Sequence, residues 1–235
     1  MRVSVWRSEG ATGRFETFEV PEGEHQTILD VVTWIQGNAD PTLAYRFACR
    51  VGMCGSCAMT VNGVPRWTCR THVRKVLADG RLEIAPLRNL PVIRDLVVDM
   101  DPFFEKWVAA EGVFRPTATR EDELAPIPPQ DPARVEADAG IECINCAICY
   151  AACDAVSGNE DYLGPAALNR AWTLVNDARD GGDAVRLEAV SRSGGCHTCH
   201  SMGSCTAHCP AGLDPMHAIA GLKRRTVRSL DWWRK

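Results

Sequence analysis

Cys49-Arg50-Val51-Gly52-Met53-Cys54-Gly55-Ser56-Cys57, with eleven further residues before Cys69, is the stretch on which the reading of this chain turns. Three thiols crowd into nine residues, with Gly52 and Gly55 between them. A loop that wraps a multi-atom metal core must turn its backbone N–H groups toward the sulfurs. Such turns need positive φ or a backbone unscreened by side chains, which glycine permits. Ser56 offers a further donor and Arg50 a compensating positive charge. Immediately downstream, Ala58–Val61, Asn62-Gly63 and Val64–Thr68 read as a β-hairpin, since Asn-Gly accepts the positive φ of a tight turn. The hairpin delivers Cys69 back to the loop.

C-x4-C-x2-C followed by a distant fourth Cys is the plant-type spacing for a [2Fe–2S] cluster, here on Cys49, Cys54, Cys57 and Cys69. A zinc site would also accept four thiolates, but it usually takes two C-x2–4-C pairs rather than three ligands on one loop. The flanks fit a sheet. Val3–Trp6 and Phe15–Val20 are short strand candidates, Thr27 is placed to cap a helix over Ile28–Gln36 with Gly37 as its stop, and Leu82–Ala85 closes the set. From Pro91 the pattern turns helical, with Val92, Ile93, Leu96, Val97 and Met100, then Phe103, Phe104 and Trp107. Residues 115–132 carry five prolines and read as an extended connector. Pro165 opens a helix with an apolar face of Leu168, Ala171, Trp172, Val175 and Ala178. A last helix is capped by Asp214, begins at Pro215 and runs through Met216, Ile219 and Leu222. A domain boundary is expected near residue 100.

The other cysteines form two related groups. Cys143, Cys146, Cys149 and Cys153 give C-x2-C-x2-C-x3-C, the two-cluster ferredoxin run. Cys199, Met202, Cys205 and Cys209 occupy the same offsets, with methionine in the second place and Pro210 after the fourth. In such runs the fourth Cys ligates the other cluster. Cys143, Cys146, Cys149 and Cys209 therefore make a complete set for a [4Fe–4S] cluster. Cys153, Cys199 and Cys205 are left with Met202 where a fourth thiolate would stand. A thioether is a poor ligand for a cluster iron, so a [3Fe–4S] cluster is expected. Other assignments of this region stay open. Cys196-His197-Thr198-Cys199-His200 matches the c-type haem pattern C-x-x-C-H. Cys196, Cys199, His200 or His208 are chemically able to bind zinc. Cys196 also lies close enough in sequence to be considered for the missing corner, though it is outside the repeat register.

Composition narrows the function class. Twelve cysteines accompany an N-terminus without the apolar core of a signal peptide or the basic, acid-poor run of a transit peptide. A disulfide framework therefore fits poorly. The expectation is a cytoplasmic bacterial or archaeal chain, or a mature form with its leader removed. No apolar run reaches the length of a membrane span. The charge balance is +1 over residues 1–100, −10 over 101–222 and +5 over 223–235. An acidic body with a short basic tail is not the footprint of a nucleic-acid binder.

The order of these motifs resembles the iron–sulfur subunit of succinate dehydrogenases and fumarate reductases. Cys54-Gly55-Ser56-Cys57-Ala58-Met59 with Asn62-Gly63 is similar to that family's cluster loop, and Leu90–Asp99 is similar to the segment joining its domains. Gly164-Pro165-Ala166 and Cys209-Pro210 also match, so the likeness spans roughly residues 1–225. It implies an α+β chain: a plant-type [2Fe–2S] ferredoxin domain of β-grasp fold over 1–100, then an all-α, bacterial-type helical ferredoxin domain over 101–235. It further implies an FAD-containing flavoprotein partner that handles succinate and fumarate, and membrane anchor subunits at the cytoplasmic face of the inner membrane. A quinone is implied beside the helical domain, with His200 and Met202 nearest it. Electrons would pass between flavin and quinone through [2Fe–2S], [4Fe–4S] and [3Fe–4S]. By that likeness the chain has no catalytic residue for the dicarboxylate itself. A subunit of another flavoprotein dehydrogenase or of a thiol-linked fumarate reductase is the nearest alternative. A zinc-stabilised interaction protein is the alternative of a different class.

Two departures matter. Asp154 follows Cys153 where the family commonly has proline, and Ala155–Asn159 replace the tryptophans frequent in ubiquinone-using relatives. Menaquinone or another arrangement is thereby left open. The tail, Lys223, Arg224, Arg225, Arg228, Trp232, Trp233, Arg234 and Lys235, suits a membrane surface or anchor subunit. It also suits a helix C-terminus that simply favours cations.

Overall fold

A computed structural model describes residues 1–123 and 125–229. The side chain of Arg228, and Trp232, Trp233, Arg234 and Lys235 of the basic tail, lie outside the described set. The chain forms two compact units, Met1–Pro102 with Ile144–Ala152, and Phe103–Cys143 with Cys153–Lys235. The first carries sheet and the second is helical.

In the first unit, β1 (Arg2–Ser8) and β2 (Gly13–Glu19) form an antiparallel pair with Val3 opposite Phe18 and Val5 opposite Glu16. Strand β1 also pairs in parallel with β5 (Arg81–Ala85), Val3 beside Leu82. The hairpin of β3 (Ala58–Val61) and β4 (Val64–Trp67) completes a five-stranded sheet in the order β2-β1-β5-β3-β4. Asn62 and Gly63 both take positive φ, as the turn demands. Alternation along β1 sends Val3 and Val5 inward, where they meet Leu82, Ile84 and the buried face of α1 (Ile28–Asn38), Val31, Val32 and Ile35. Thr27 and Asp30 form a reciprocal capping box at the start of α1. The helix continues through Gly37, contrary to the expected stop. Asn38 donates back to the Trp34 carbonyl, and Ala39 and Asp40 both donate to the Ile35 carbonyl, so the helix closes just past the glycine.

The apolar run after Pro91 is not helical. It forms a small ribbon of β6 (Val92–Arg94) and β7 (Val97–Val98), turning at Asp95 with φ 48°. The buried Asp95 carboxylate accepts from the Ser8 and Ala44 N–H groups and from Arg7. A helix here would withdraw it from these three donors, which come from distant parts of the chain.

Helix α2 (Asp101–Ala109), most of it in the second unit, is followed by the proline-rich connector, which has no helix or strand among its described residues before Pro132. Its start is tied down by Arg115 N–H to Asp180 and Thr117 N–H to the Arg179 carbonyl. Helix α3 (Pro132–Ile141), not anticipated from the sequence, is capped by Asp131, which accepts from the Ala133 and Arg134 N–H groups. After it come two short helices, α4 (Ile148–Ala151), which packs with the first unit, and α5 (Asp154–Gly158). The central helix is α6 (Gly164–Val175), buried along almost its whole length and packed by α3 and by α9 (Pro215–Ser229). It ends before Ala178, because Asn176 folds its amide back onto the Trp172 carbonyl. Helix α7 (Asp183–Ser191) and the short α8 (Ser204–Ala207) complete the unit. Asp214 caps α9 through the His217 N–H. Among the described residues no helix is long and apolar enough to cross a membrane.

Candidate metal centres

The first cysteine loop has the backbone its spacing requires. Arg50, Gly52 and Gly55 all have positive φ. These turns aim N–H groups at sulfur: Val51, Met53 and Cys54 donate to Cys49 Sγ at 3.2–3.4 Å, and Cys49 N–H reaches Cys54 Sγ at 3.4 Å. Ser56 Oγ lies 3.1 Å from Cys54 Sγ. Cys57 and Cys69 are buried against Leu29, Tyr45 and Trp67, whereas Cys54 is exposed. Thr68, beside Cys69, bonds the Cys57 carbonyl through both N–H and hydroxyl, so the returning strand registers the fourth cysteine against the loop.

Electrostatics divide the four thiols. The Ser56 hydroxyl and the Cys49 N–H pull Cys54 down to about 6. Burial pushes Cys69 up to about 11, with Cys57 and Cys49 adding to the cost of a second negative charge. Thiols this close resist joint ionisation until a positive core sits among them, which is how metal binding drives proton release. Four thiols, inward N–H groups and glycine turns fit a small iron–sulfur core. Among the described residues, no three His, Cys, Asp or Glu side chains are grouped as a site for a lone metal ion. Arg50 places its guanidinium 4.7 Å from the Phe47 ring.

The two downstream runs share one backbone. Asn145 and Ser201 have φ 55° and 57°, and Ala147 and Gly203 have φ 59° and 80°; each pair is 56 residues apart. The same offset carries α4 onto α8, with Ala151 N–H bonding the Ala147 carbonyl and Ala207 N–H the Gly203 carbonyl. It also carries Cys143, Cys146, Cys149 and Cys153 onto Cys199, Met202, Cys205 and Cys209. A repeat read from cysteines alone is thus a repeat of local conformation, including left-handed residues that are not glycine.

Cys146 and Cys149 lie in the first unit, Cys143 and Cys209 in the second. Gly55 approaches Cys146 within the first unit, where Arg88 and Asn89 also hold the carbonyls of α4. In the second unit, Cys153, Cys199 and Cys205 line one cavity with His200, Met202 and Tyr162. Ser201 N–H donates to Cys199 Sγ at 3.3 Å. Burial raises Cys153, against the opposing pull of the Val156 and Ala155 N–H groups. Burial also raises Cys205, to about 11, with Cys153 and Cys199 adding to it. Met202 and His200 are exposed at the cavity's edge. Cys196 does not line this cavity; it is buried with its sulfur 3.9 Å from Thr226 Oγ1.

Tyr162 escaped the reading of the sequence. It is fully buried, and its hydroxyl lacks a well-formed hydrogen bond, with the Cys199 thiol the nearest influence on it. Burial, then the Cys199 and Cys153 thiols it faces, raise its pKa far above the ordinary value. A tyrosine before Gly-Pro carries no local signal of such a role.

Comparison with known proteins places both cysteine-bearing regions in iron–sulfur families. Residues 2–105 match the 2Fe-2S iron-sulfur cluster binding domain family and residues 142–214 the 4Fe-4S dicluster domain family. The chain is 38% identical to the fumarate reductase iron-sulfur subunit of Mycobacterium tuberculosis, over 95% of this chain and 90% of that protein. It is 33% identical to the succinate dehydrogenase iron-sulfur subunit of Paracoccus denitrificans, over 96% and 88%. Among solved structures it superposes with TM-score 0.86 and 27% identity on a chain of the Mycobacterium smegmatis Sdh1 complex, covering 97% of this chain and 96% of that one. This chain belongs to the iron–sulfur subunits of succinate dehydrogenases and fumarate reductases, and its work is electron transfer.

Proposed function

We propose that this chain is a three-cluster relay between the FAD of a flavoprotein subunit and a quinone at a membrane anchor. In this reading residues 1–100 are a plant-type ferredoxin domain of β-grasp fold holding [2Fe–2S] on Cys49, Cys54, Cys57 and Cys69. The parallel pairing of β1 with β5 around α1 supports that fold. Residues 101–235 are a helical ferredoxin domain, although Ile144–Ala152 packs with the first unit. Cys143, Cys146, Cys149 and Cys209 hold [4Fe–4S]; Cys153, Cys199 and Cys205 hold [3Fe–4S].

The observation that carries the reading is the 56-residue repeat in which a methionine replaces one cysteine. Everything that shapes the loop is retained at Met202, including the left-handed residues on either side, Ser201 and Gly203. What the methionine removes is the thiolate. The clusters supply one-electron steps; the protein supplies thiolates, N–H donors and burial that set each potential. His200 and Met202, at the edge of the cavity lined by Cys153, Cys199 and Cys205, are the residues proposed nearest quinone. The setting is the cytoplasmic face of the inner membrane, reached through anchor subunits.

Electron paramagnetic resonance on the purified complex tests the set. An oxidised [3Fe–4S] signal should vanish on mild reduction and a [2Fe–2S] signal should then appear. Absence of the first signal from the oxidised complex would remove the third assignment.

A further inference from the structure

The cavity lined by Cys153, Cys199 and Cys205 holds a buried hydroxyl without a well-formed hydrogen bond, that of Tyr162. Tyr162 is held there from two sides. Asn159 accepts from the Asp161 N–H with its side chain and from the Tyr162 N–H with its carbonyl, forming a tight turn. Leu163 N–H bonds the Gly194 carbonyl, and Gly194 has φ +77° with no room for a side chain against Asp161. The ring is fixed immediately before α6, fully buried, and lines the same cavity as Cys153, Cys199 and Cys205. A buried hydroxyl without a good partner is destabilising, because its lost hydration is not replaced. Phenylalanine would fill the same space without that cost, so the hydroxyl calls for an acceptor that occupies the cavity.

We propose that the Tyr162 hydroxyl donates a hydrogen bond to the sulfur of the [3Fe–4S] centre held by Cys153, Cys199 and Cys205, and thereby raises its reduction potential. The inference rests on the [3Fe–4S] reading above. Reduction adds one electron and no proton to the cluster, so the negative charge on its sulfurs grows. A fixed O–H donor stabilises that more negative state more than the oxidised one. The Cys199 and Cys153 sulfurs that Tyr162 faces are ligands of that centre, and they become stronger acceptors once they carry cluster charge. Tyr162 keeps its proton throughout and acts as a donor only.

The test is Tyr162→Phe in the assembled complex, with the three clusters titrated by electron paramagnetic resonance in the same samples. The expected result is a fall in the [3Fe–4S] midpoint equivalent to about tenfold in the reduction equilibrium, ~59 mV for one electron. The [2Fe–2S] and [4Fe–4S] midpoints should not move. Pulsed measurements on the oxidised [3Fe–4S] signal in H2O and D2O should show one exchangeable-proton coupling lost in the variant. A [3Fe–4S] signal present in both proteins with the same midpoint and the same couplings overturns the proposal. A wild-type complex without any oxidised [3Fe–4S] signal instead overturns the cluster reading on which it stands.

Discussion

Gly55, in the first cysteine loop, lies so close against Cys146 that a β-carbon at position 55 would stand 2.8 Å from that of Cys146, and its own φ is +72°. The contact joins the loop of the first motif to the second motif within one folded unit. Two separate costs follow from any side chain there. One is the left-handed backbone; the other is the collision with Cys146 and with the Ile144 carbonyl, 2.9 Å away.

Gly55→Ala and Gly63→Ala separate those costs. Gly63 also has positive φ, 75°, but faces open space. Gly63→Ala should cost only the backbone term, about 1–2 kcal/mol, lowering Tm by about 2–4 °C for each kcal/mol in a chain of this size. Gly55→Ala should cost more and should deplete the [2Fe–2S] signal. Calorimetry with spectroscopy on both variants checks this; equal, small losses would show that the close approach has no consequence.

Ser56→Ala removes the hydroxyl 3.1 Å from Cys54 Sγ. A hydrogen bond contributing about 1 kcal/mol corresponds to ~40 mV for one electron. The [2Fe–2S] midpoint should fall by about that much, with no change in the other two clusters. A redox titration of the variant reads the shift directly.

Asp180 and Arg186 form an ion pair with both side chains fully buried, Nη1 to Oδ1 at 2.8 Å. Burial alone would raise the Asp180 pKa, but Arg186 and the Arg115 and Gly182 N–H groups outweigh it and hold the carboxyl below its ordinary 3.8. Because the folded value is the lower one, the stabilisation is present above the unfolded pKa and is lost as pH falls through the folded value. Asp180→Asn should therefore destabilise at pH 7, by about 3–5 kcal/mol if the guanidinium is left unpaired. The difference from wild type should shrink below pH ~4. Denaturant melts across that range show whether it does.

Much of this could be read from the chain because its decisive signals are local. Asn62-Gly63 specifies a turn, Thr27 with Asp30 specifies a helix start, and cysteine spacing marks the two iron–sulfur regions. Over Val92–Met100 the helical spacing of apolar residues misleads because it does not include Asp95, whose three donors come from distant residues. Helix α3 was hidden in the Pro-rich stretch and its downstream edge; it is anchored from outside, where Trp172 Nε1 donates to Glu136. Tyr162 was invisible for the same kind of reason. What distinguishes it is an unsatisfied hydroxyl, which exists only once the cavity has closed round it. Asn145 and Ser201 could have been found by laying the repeat over every residue rather than over cysteines alone.

The most direct measurement of the central claim is iron per chain in the anaerobically purified complex, for the wild type and for Met202→Cys. Clusters of two, four and three irons give about nine in the wild type. Restoring the thiolate in a loop whose backbone already matches its cysteine-bearing counterpart should raise the count to about ten and abolish the oxidised [3Fe–4S] signal. A wild type with about ten irons, or a variant that stays at nine with its signal intact, would contradict the assignment of Met202 as the missing ligand.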